Sequence, residues 1–258
     1  MKWSINFGMI IFLLLVFPFT TVSPQLKSDH INFVVSNLTE YKTLFNNLGF
    51  VLKPGTKHSN GIENFFIKFP SGPYIEILSA VKPKDNIARF YSALQQMGQI
   101  IPAFLAISAD SIILDSLQKF FADINQPTSF SDLGYARILN FPLADYFIPY
   151  FFIDYRNPLP EPEKLVTHDN MGLKISKIFI NFSFNECLKT NFPFNQPDDN
   201  YLHSGDHPEN NFIGIEIFCR SLFYIKKCLL NSKIKFTSSR KMIKFYLSEK
   251  FFIQFVEE

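Results

Sequence analysis

The chain has 258 residues, 47% of them apolar and 19% charged, which supplies one large or two small buried cores and excludes a disordered or linker-like protein. Its 25 Lys and Arg against 23 Asp and Glu leave a net charge of +2, too little for a nucleic-acid footprint. Ten Gly and 16 Pro exclude a collagen-like chain.

Lys2 is followed by an uncharged run from Trp3 to Leu26, densest at Phe7–Phe19 and followed by the small polar residues Thr20, Thr21 and Ser23. A positive start, an apolar middle and small residues near a cut are the layout of a secretory signal, so residues 1–26 predict export to a periplasm or the outside. Thr21-Val22-Ser23 fits the cleavage rule, although Pro24 follows it directly. Left uncut, the run is long enough to anchor in a bilayer, the sole membrane contact expected. Cys187, Cys219 and Cys228 cannot all pair, so they are not a disulfide framework. Asn37–Thr39 and Asn181–Ser183 match a glycosylation acceptor pattern.

From residue 27 onward a unit recurs. His30–Val35 reads as a strand, and Leu38–Leu48 has helical spacing with Ser36 or Asn37 as cap and Gly49 as stop. Phe50–Lys53, Ile62–Lys68 and Tyr74–Leu78 follow as strands, the last two joined by the turn at 70–73. About 72 residues on, a second copy has a strand at Ala103–Ile107, a helix at Ser111–Ile124 and strands at Tyr135–Leu139 and Tyr150–Tyr155. The Pro-rich 157–164 separates a second half. There Lys177–Phe182 and a short helix at 186–189 open a third copy, which the polar stretch 195–211 interrupts. A fourth runs from Ile213–Phe218 through the helix Leu222–Leu230 to strands at 233–236, 242–247 and 251–256. The fold class is α+β, built from up to four βαβββ modules. One module leaves a sheet face bare, so modules pair into curved sheets around a cavity. The boundaries are residues 1–26 for the signal, 27–157 for two modules, 158–172 for a linker and 173–258 for a second, degenerate pair.

The runs SDHINFVVSNL at 28–38, NNLGF at 46–50, PGTKHSNGIENFFIKF at 54–69 and YIEIL at 74–78 resemble the vicinal oxygen chelate superfamily, and within it the glyoxalase-like proteins. FFIDYRNP at 151–158 and the His-x-Asn-x-Gly of 168–172 are similar to further landmarks, whereas Ile62 stands where the family usually has Thr. In metal-using members, ligands come from the first and last strands of paired modules. The resemblance therefore implies His30, Glu76 and Asp154 as ligands of a divalent Fe, Mn, Ni or Zn ion, with Pro102 at the fourth place and Glu76 or Asp154 as the catalytic base. Without a metal, His30 and Glu76 hydrogen-bond a substrate or each other. In other pairings Lys177 faces His30 and Gln254 faces Glu76, and a Lys at a ligand place argues against a metal.

Substrate contacts are expected from His58, Asn64 and His168 on the family motif, and from Arg137 as a strand-borne carboxylate clamp. His203 and His207 flank a polar loop with a spacing that suits solvent as well as metal. The expected activity is that of an exported lyase, isomerase or dioxygenase acting on a small oxygenated molecule. The rival is a metal-free binding protein of the same fold, and the third reading a degenerate scaffold. The expected partners are a small-molecule ligand and a second copy of the chain as a homodimer, with no nucleic acid.

Overall fold

The computed structural model describes residues 26–98, 100–141, 149–158, 160–181, 202–205 and 212–258. The apolar segment 1–25, Cys187, the helix expected at 186–189 and His207 lie outside the described residues.

The first module is β1 (Lys27–Val35), α1 (Leu38–Asn47), β2 (Lys53–Lys57), β3 (Ile62–Ile67) and β4 (Tyr74–Ala80). The side chain of Asn37 caps α1 by accepting from the Thr39 and Glu40 amides. A helix absent from the sequence reading, α2 (Asn86–Met97), leads to the second module, although its apolar residues Ile87, Phe90, Tyr91 and Leu94 recur at helical spacing. That module comprises β5 (Ile100–Ser108), α3 (Ser111–Asp123), β6 (Ser129–Asp132), β7 (Ala136–Asn140) and β8 (Tyr150–Tyr155). After the short α4 (Glu163–Val166) come β9 (Gly172–Asn181), β10 (Leu202–Gly205), β11 (Phe212–Cys219), α5 (Leu222–Asn231), β12 (Phe236–Ser238), β13 (Met242–Ser248) and β14 (Phe251–Glu257).

Two sheets result. The first runs β2-β3-β4-β1-β5-β8-β7-β6, with modules one and two joined edge to edge where β1 pairs antiparallel with β5. The second runs β10-β9-β11-β14-β13-β12. Pairing is therefore within each half, and Lys177 and Gln254 belong to the second sheet rather than facing His30 and Glu76. There, both hold the buried Glu216, whose carboxylate accepts from Lys177 at 2.9 Å and Gln254 at 2.5 Å.

Each strand alternates, so each sheet has an inner and an outer face. One core cluster unites the inner faces and the helices between them. It holds Ile31, Phe33, Phe65 and Ile75 of the first sheet, Phe45 of α1, Leu117 and Phe121 of α3, Leu229 of α5, and Ile178, Ile215 and Phe255 of the second sheet. Phe33 meets Phe251 edge-on at 4.9 Å, and Phe50 stacks on Phe255 at 6.0 Å. Leu26 packs into the same cluster. Cys219 is a buried free thiol and Cys228 a half-buried one.

The strand expected at 50–53 lies later, at Lys53–Lys57, and reads poorly as a strand because it contains Pro54 and Gly55. Both are tolerated at a sheet edge. A Cβ on Gly55 would lie 2.0 Å from the side-chain oxygen of Asn64, so the strand can close on β3 only with glycine there.

His168 and Asn170 join the halves. His168 is buried, accepts from the Val51 amide at Nδ1 (3.0 Å) and donates from Nε2 to the Lys68 carbonyl (2.8 Å), which fixes the neutral tautomer. Both nitrogens being bound to backbone, the substrate contact expected of His168 is corrected to a structural clasp. Asn170, fully buried, donates to the Leu48 carbonyl at 2.9 Å and accepts from the Gly172 amide at 3.0 Å. Gly49, at φ 80°, passes so close that a Cβ would lie 2.9 Å from the Asn170 amide nitrogen. Asn170→Ala should orphan two buried backbone groups and lower the unfolding free energy by about 3 kcal/mol, read as a shift in urea midpoint; an unchanged midpoint would refute the clasp.

Candidate functional site

Strand register builds the site on the outer face of the first sheet. His30 pairs with Tyr74 and Asn32 with Glu76 across β1 and β4, while Phe66 pairs with Glu76 across β3 and β4, so these side chains and Asn64 share one face. Across β5 and β8 the same face continues through Phe104, Ala106, Phe151 and, by alternation, Tyr155. Asp29 joins them through an irregularity. Ser28 pairs with Ile107 and His30 with Ala106, which leaves Asp29 as an extra residue in β1. Such a bulge re-aims a side chain that regular alternation would send to the other face.

His30 is 3% exposed and lies between two carboxylates. Its Nδ1 is 2.6 Å from Asp29 Oδ2 and its Nε2 3.3 Å from Glu76 Oε2. The ring stacks on Tyr74 at 4.6 Å and meets the edge of Phe151 at 5.8 Å. Burial alone would pull its pKa down, but the hydrogen bonds and charges of Asp29 and Glu76 outweigh it and raise the imidazole to about 8. His30 is thus an imidazolium whose two N–H groups each meet a carboxylate. Burial disfavours the charge of Glu76, yet the His30 contact, the Asn64 amide and the charge of nearby His58 hold its carboxyl below the ordinary range. Asp29 is likewise held down, burial being outweighed by His30, with Lys68 and the Tyr155 hydroxyl adding to the effect.

Amides fix the carboxylate. Asn64 donates to Glu76 Oε1 at 2.5 Å and Asn32 to Oε2 at 3.0 Å. Asn64 is itself oriented by accepting from the Thr56 amide at 2.7 Å. Asn32 Oδ1 is buried and accepts from no donor among the described residues. The second module contributes Tyr155, which donates to Asp29 Oδ2 at 3.1 Å and lies 2.9 Å from the Tyr74 hydroxyl. A hydrogen-bonded relay results, Tyr74–Tyr155–Asp29–His30–Glu76–Asn64, crossing the joint between modules.

Helix α2 covers one end of this outer face. Ala88, Phe90, Tyr91 and Leu94 pack with Val34, Leu78 and Phe104, and Gln95 donates to the Val35 carbonyl and Ser79 hydroxyl, both at 2.7 Å. At the other end, the Asp29 and Glu76 side chains keep 18% and 15% of their surface exposed. The relay is therefore reachable from solvent.

The structure brings His30, Glu76 and Asn64 together on one face. Asp154 is not with them. It pairs with Arg137 and, by alternation with Tyr155, lies on the inner face. Arg137 binds Asp115 of α3 at 2.8 Å and lies 3.6 Å over the Phe130 ring, so it is not a substrate clamp on the site's face. The place matching Glu76 lies earlier in the chain than Asp154. Phe33 pairs with Ile77, one residue after Glu76, whereas Leu105, 72 residues after Phe33, pairs with Tyr150; the position matching Glu76 is therefore Pro149. The second module offers Pro102 and Pro149 where ligands are needed, and neither side chain can bind a metal. With both His30 nitrogens already engaged, the donor set does not fit a divalent ion. Among the described residues no group of three His, Cys, Asp or Glu side chains is arranged to hold one.

Asp29, Tyr74, Tyr155 and Lys68 were not singled out from the sequence. Tyr155 carried a signal, since it ends a strand beside a landmark run. Asp29 carried none, because a bulge leaves no mark in the alternation of β1.

The sequence of residues 28–118 matches the Glyoxalase-like domain family. That match covers about a third of the chain, from β1 into α3. No curated protein matches it in sequence. Among solved structures, a hypothetical protein from Staphylococcus aureus is similar with a TM-score of 0.56 at 12% identity, covering 90% of this chain and 100% of that one. The 2,3-dioxygenase LapB from Pseudomonas sp. KL28 aligns with a TM-score of 0.57 at 12% identity, over 92% of this chain and 93% of that one. A variant of homoprotocatechuate 2,3-dioxygenase from B. fuscum aligns at 0.58 and 9% identity, over 92% and 72%. Identities this low establish the shared fold.

Two histidines shape the pH dependence of stability in opposite directions. Burial lowers His168 to about 4, so its contribution is lost as pH falls from 6.5 toward 4. His30, raised to about 8, stabilises fully below 6.5 and loses that contribution as pH rises through 8. The two histidines together therefore favour the fold most near pH 6.5, with limbs of about 3 kcal/mol on the acid side and about 2 kcal/mol between pH 6.5 and 8. In urea titrations across pH, His30→Gln should flatten the alkaline limb and leave the acid one; an unaltered alkaline limb would contradict the imidazolium.

Proposed function

We propose that the chain is a metal-independent member of the glyoxalase-like fold that binds a small oxygenated molecule on the outer face of the first sheet. The observation that carries this reading is the double clamping of His30 by Asp29 and Glu76, together with prolines at the second module's ligand places. The two tyrosine hydroxyls supply partners for a ligand's hydroxyl and carbonyl oxygens, and Tyr74, Phe66 and Phe151 supply apolar walls. An imidazolium beside two carboxylates can hold a proton ready at Nδ1 or Nε2, so proton transfer to a bound oxygen is within the chemistry of these residues. The dioxygenase neighbours support the scaffold; their chemistry would need ligands that this chain does not present.

Protein purified without chelator should contain well under one equivalent of Fe, Mn, Ni or Zn, and neither a chelator nor any of these ions should move its melting temperature. Stoichiometric metal that is lost in His30→Ala would overturn the reading in favour of a metal-dependent enzyme. The signal-like pattern of residues 1–26 supports export as part of the same proposal; accumulation of the intact chain in the cytoplasmic fraction would count against it.

A further inference from the structure

Lys68 is the group at the site that the relay leaves unused. It follows β3 and, by alternation from Phe66, shares the outer face. Its Nζ lies 3.0 Å from the centre of the Tyr74 ring and 5.4 Å from that of Phe66, with the side chain 15% exposed. The nearest carboxylate partner recorded for it is Glu161 at 3.6 Å, and Glu161 is already held by Lys53 at 2.6 and 2.8 Å. An ammonium placed here has lost much of its water, faces a second cation, and shares a carboxylate that the other cation grips more closely. Burial, with Lys53 adding to it and Asp29 and Glu161 offsetting part, pushes the amine down to about 8. About a tenth of it is then free base at pH 7, a few hundredfold more than for an ordinary lysine. Desolvation beside another cation is a general means of activating an amine nucleophile.

We propose that Lys68 is a carbonyl-reactive amine and that the ligand of this site is a neutral α-hydroxy aldehyde or ketone, held as an imine on Nζ. The proposal rests on the metal-independent small-molecule reading and gives its ligand a chemical class. The Nζ lone pair adds to the carbonyl carbon, forming a C–N bond while the C=O π pair moves to oxygen. That oxygen takes up protons and leaves as water as the nitrogen gives up its own, and a C=N bond remains. The Tyr74–Tyr155 hydroxyl pair, at the edge of the ring that Nζ faces and linked through Asp29 to the His30 imidazolium, is the proton relay nearest in the fold for those transfers. The two ionised carboxylates of the relay, Asp29 and Glu76, disfavour an anionic keto acid and favour a neutral ligand.

The test treats the full chain at pH 7 with glycolaldehyde and cyanoborohydride, which reduces an imine to a stable hydroxyethyl adduct, and maps the adducts by peptide mass spectrometry. Lys68 should be labelled at least about tenfold faster than the exposed Lys119 and Lys226, given its larger free-amine fraction. Lys68→Arg should lose that label and no other. Pyruvate in place of glycolaldehyde should label Lys68 several-fold more slowly. Labelling spread evenly over the lysines would overturn the amine's role, and pyruvate reacting as fast as glycolaldehyde would overturn the neutral ligand class. Bound metal alongside fast Lys68 labelling would defeat the metal-independent reading and leave the amine standing. A metal-free chain with even labelling would do the reverse.

Discussion

A buried imidazolium must be neutralised where it stands, and the outer face of the first sheet is organised around that need. His30 is nearly out of contact with water, so its charge survives only because Asp29 and Glu76 each meet one of its nitrogens. The carboxylates in turn have lone pairs to satisfy. Asn64 and Asn32 cover Glu76, while Tyr155 covers Asp29. Tyr74 lends its ring to His30 on one side and to the Lys68 ammonium on the other, so one aromatic residue serves two cations.

Meeting that need consumes the groups from which a metal site would be made. On this scaffold a centre built from both modules requires donors from each, and the second module brings Pro102, Pro149 and a tyrosine. Tyr155 completes the relay across the seam where β1 meets β5, so pairing of the modules still matters to the site although it no longer assembles ligands. Helix α2 fills the other end of the face with apolar side chains, while Asp29 and Glu76 keep part of their surface exposed. The second sheet has its own buried carboxylate, Glu216, with Ser176, Lys177 and Gln254 around it. The theme of a neutralised charge on an outer face thus occurs in both halves.

Much of the fold was legible because module periodicity is a local property. Alternation fixed β3, β4 and β8 closely, and the spacing of Leu38, Tyr41 and Phe45 fixed α1. What failed were places where tertiary contacts override local preference. The strand at Lys53–Lys57 contains Pro and Gly and exists because Asn64 binds the Thr56 amide beneath it. The stretch 86–97 has readable helical spacing but lies between the two modules, outside the repeated unit. In the site, His30, Glu76 and Asn64 were legible from strand position and family likeness. Asp154 was misplaced because a shift of a few residues along β8 changes both the level and the face of every side chain, and Arg137 because its face of β7 turns toward α3, where Asp115 binds it.

The sequence by itself determined the repeated βαβββ grammar, the family likeness of residues 28–80 and the export-like start, all of which depend on patterns within a few tens of residues. The tertiary structure alone decided which modules pair, that His168 and Asn170 tie the first module to the second half, and that His30 meets two carboxylates. The reason is physical. A one-residue bulge at Asp29 and the parallel register of β5 with β8 are set by hydrogen bonds between distant strands, and they determine which side chains meet.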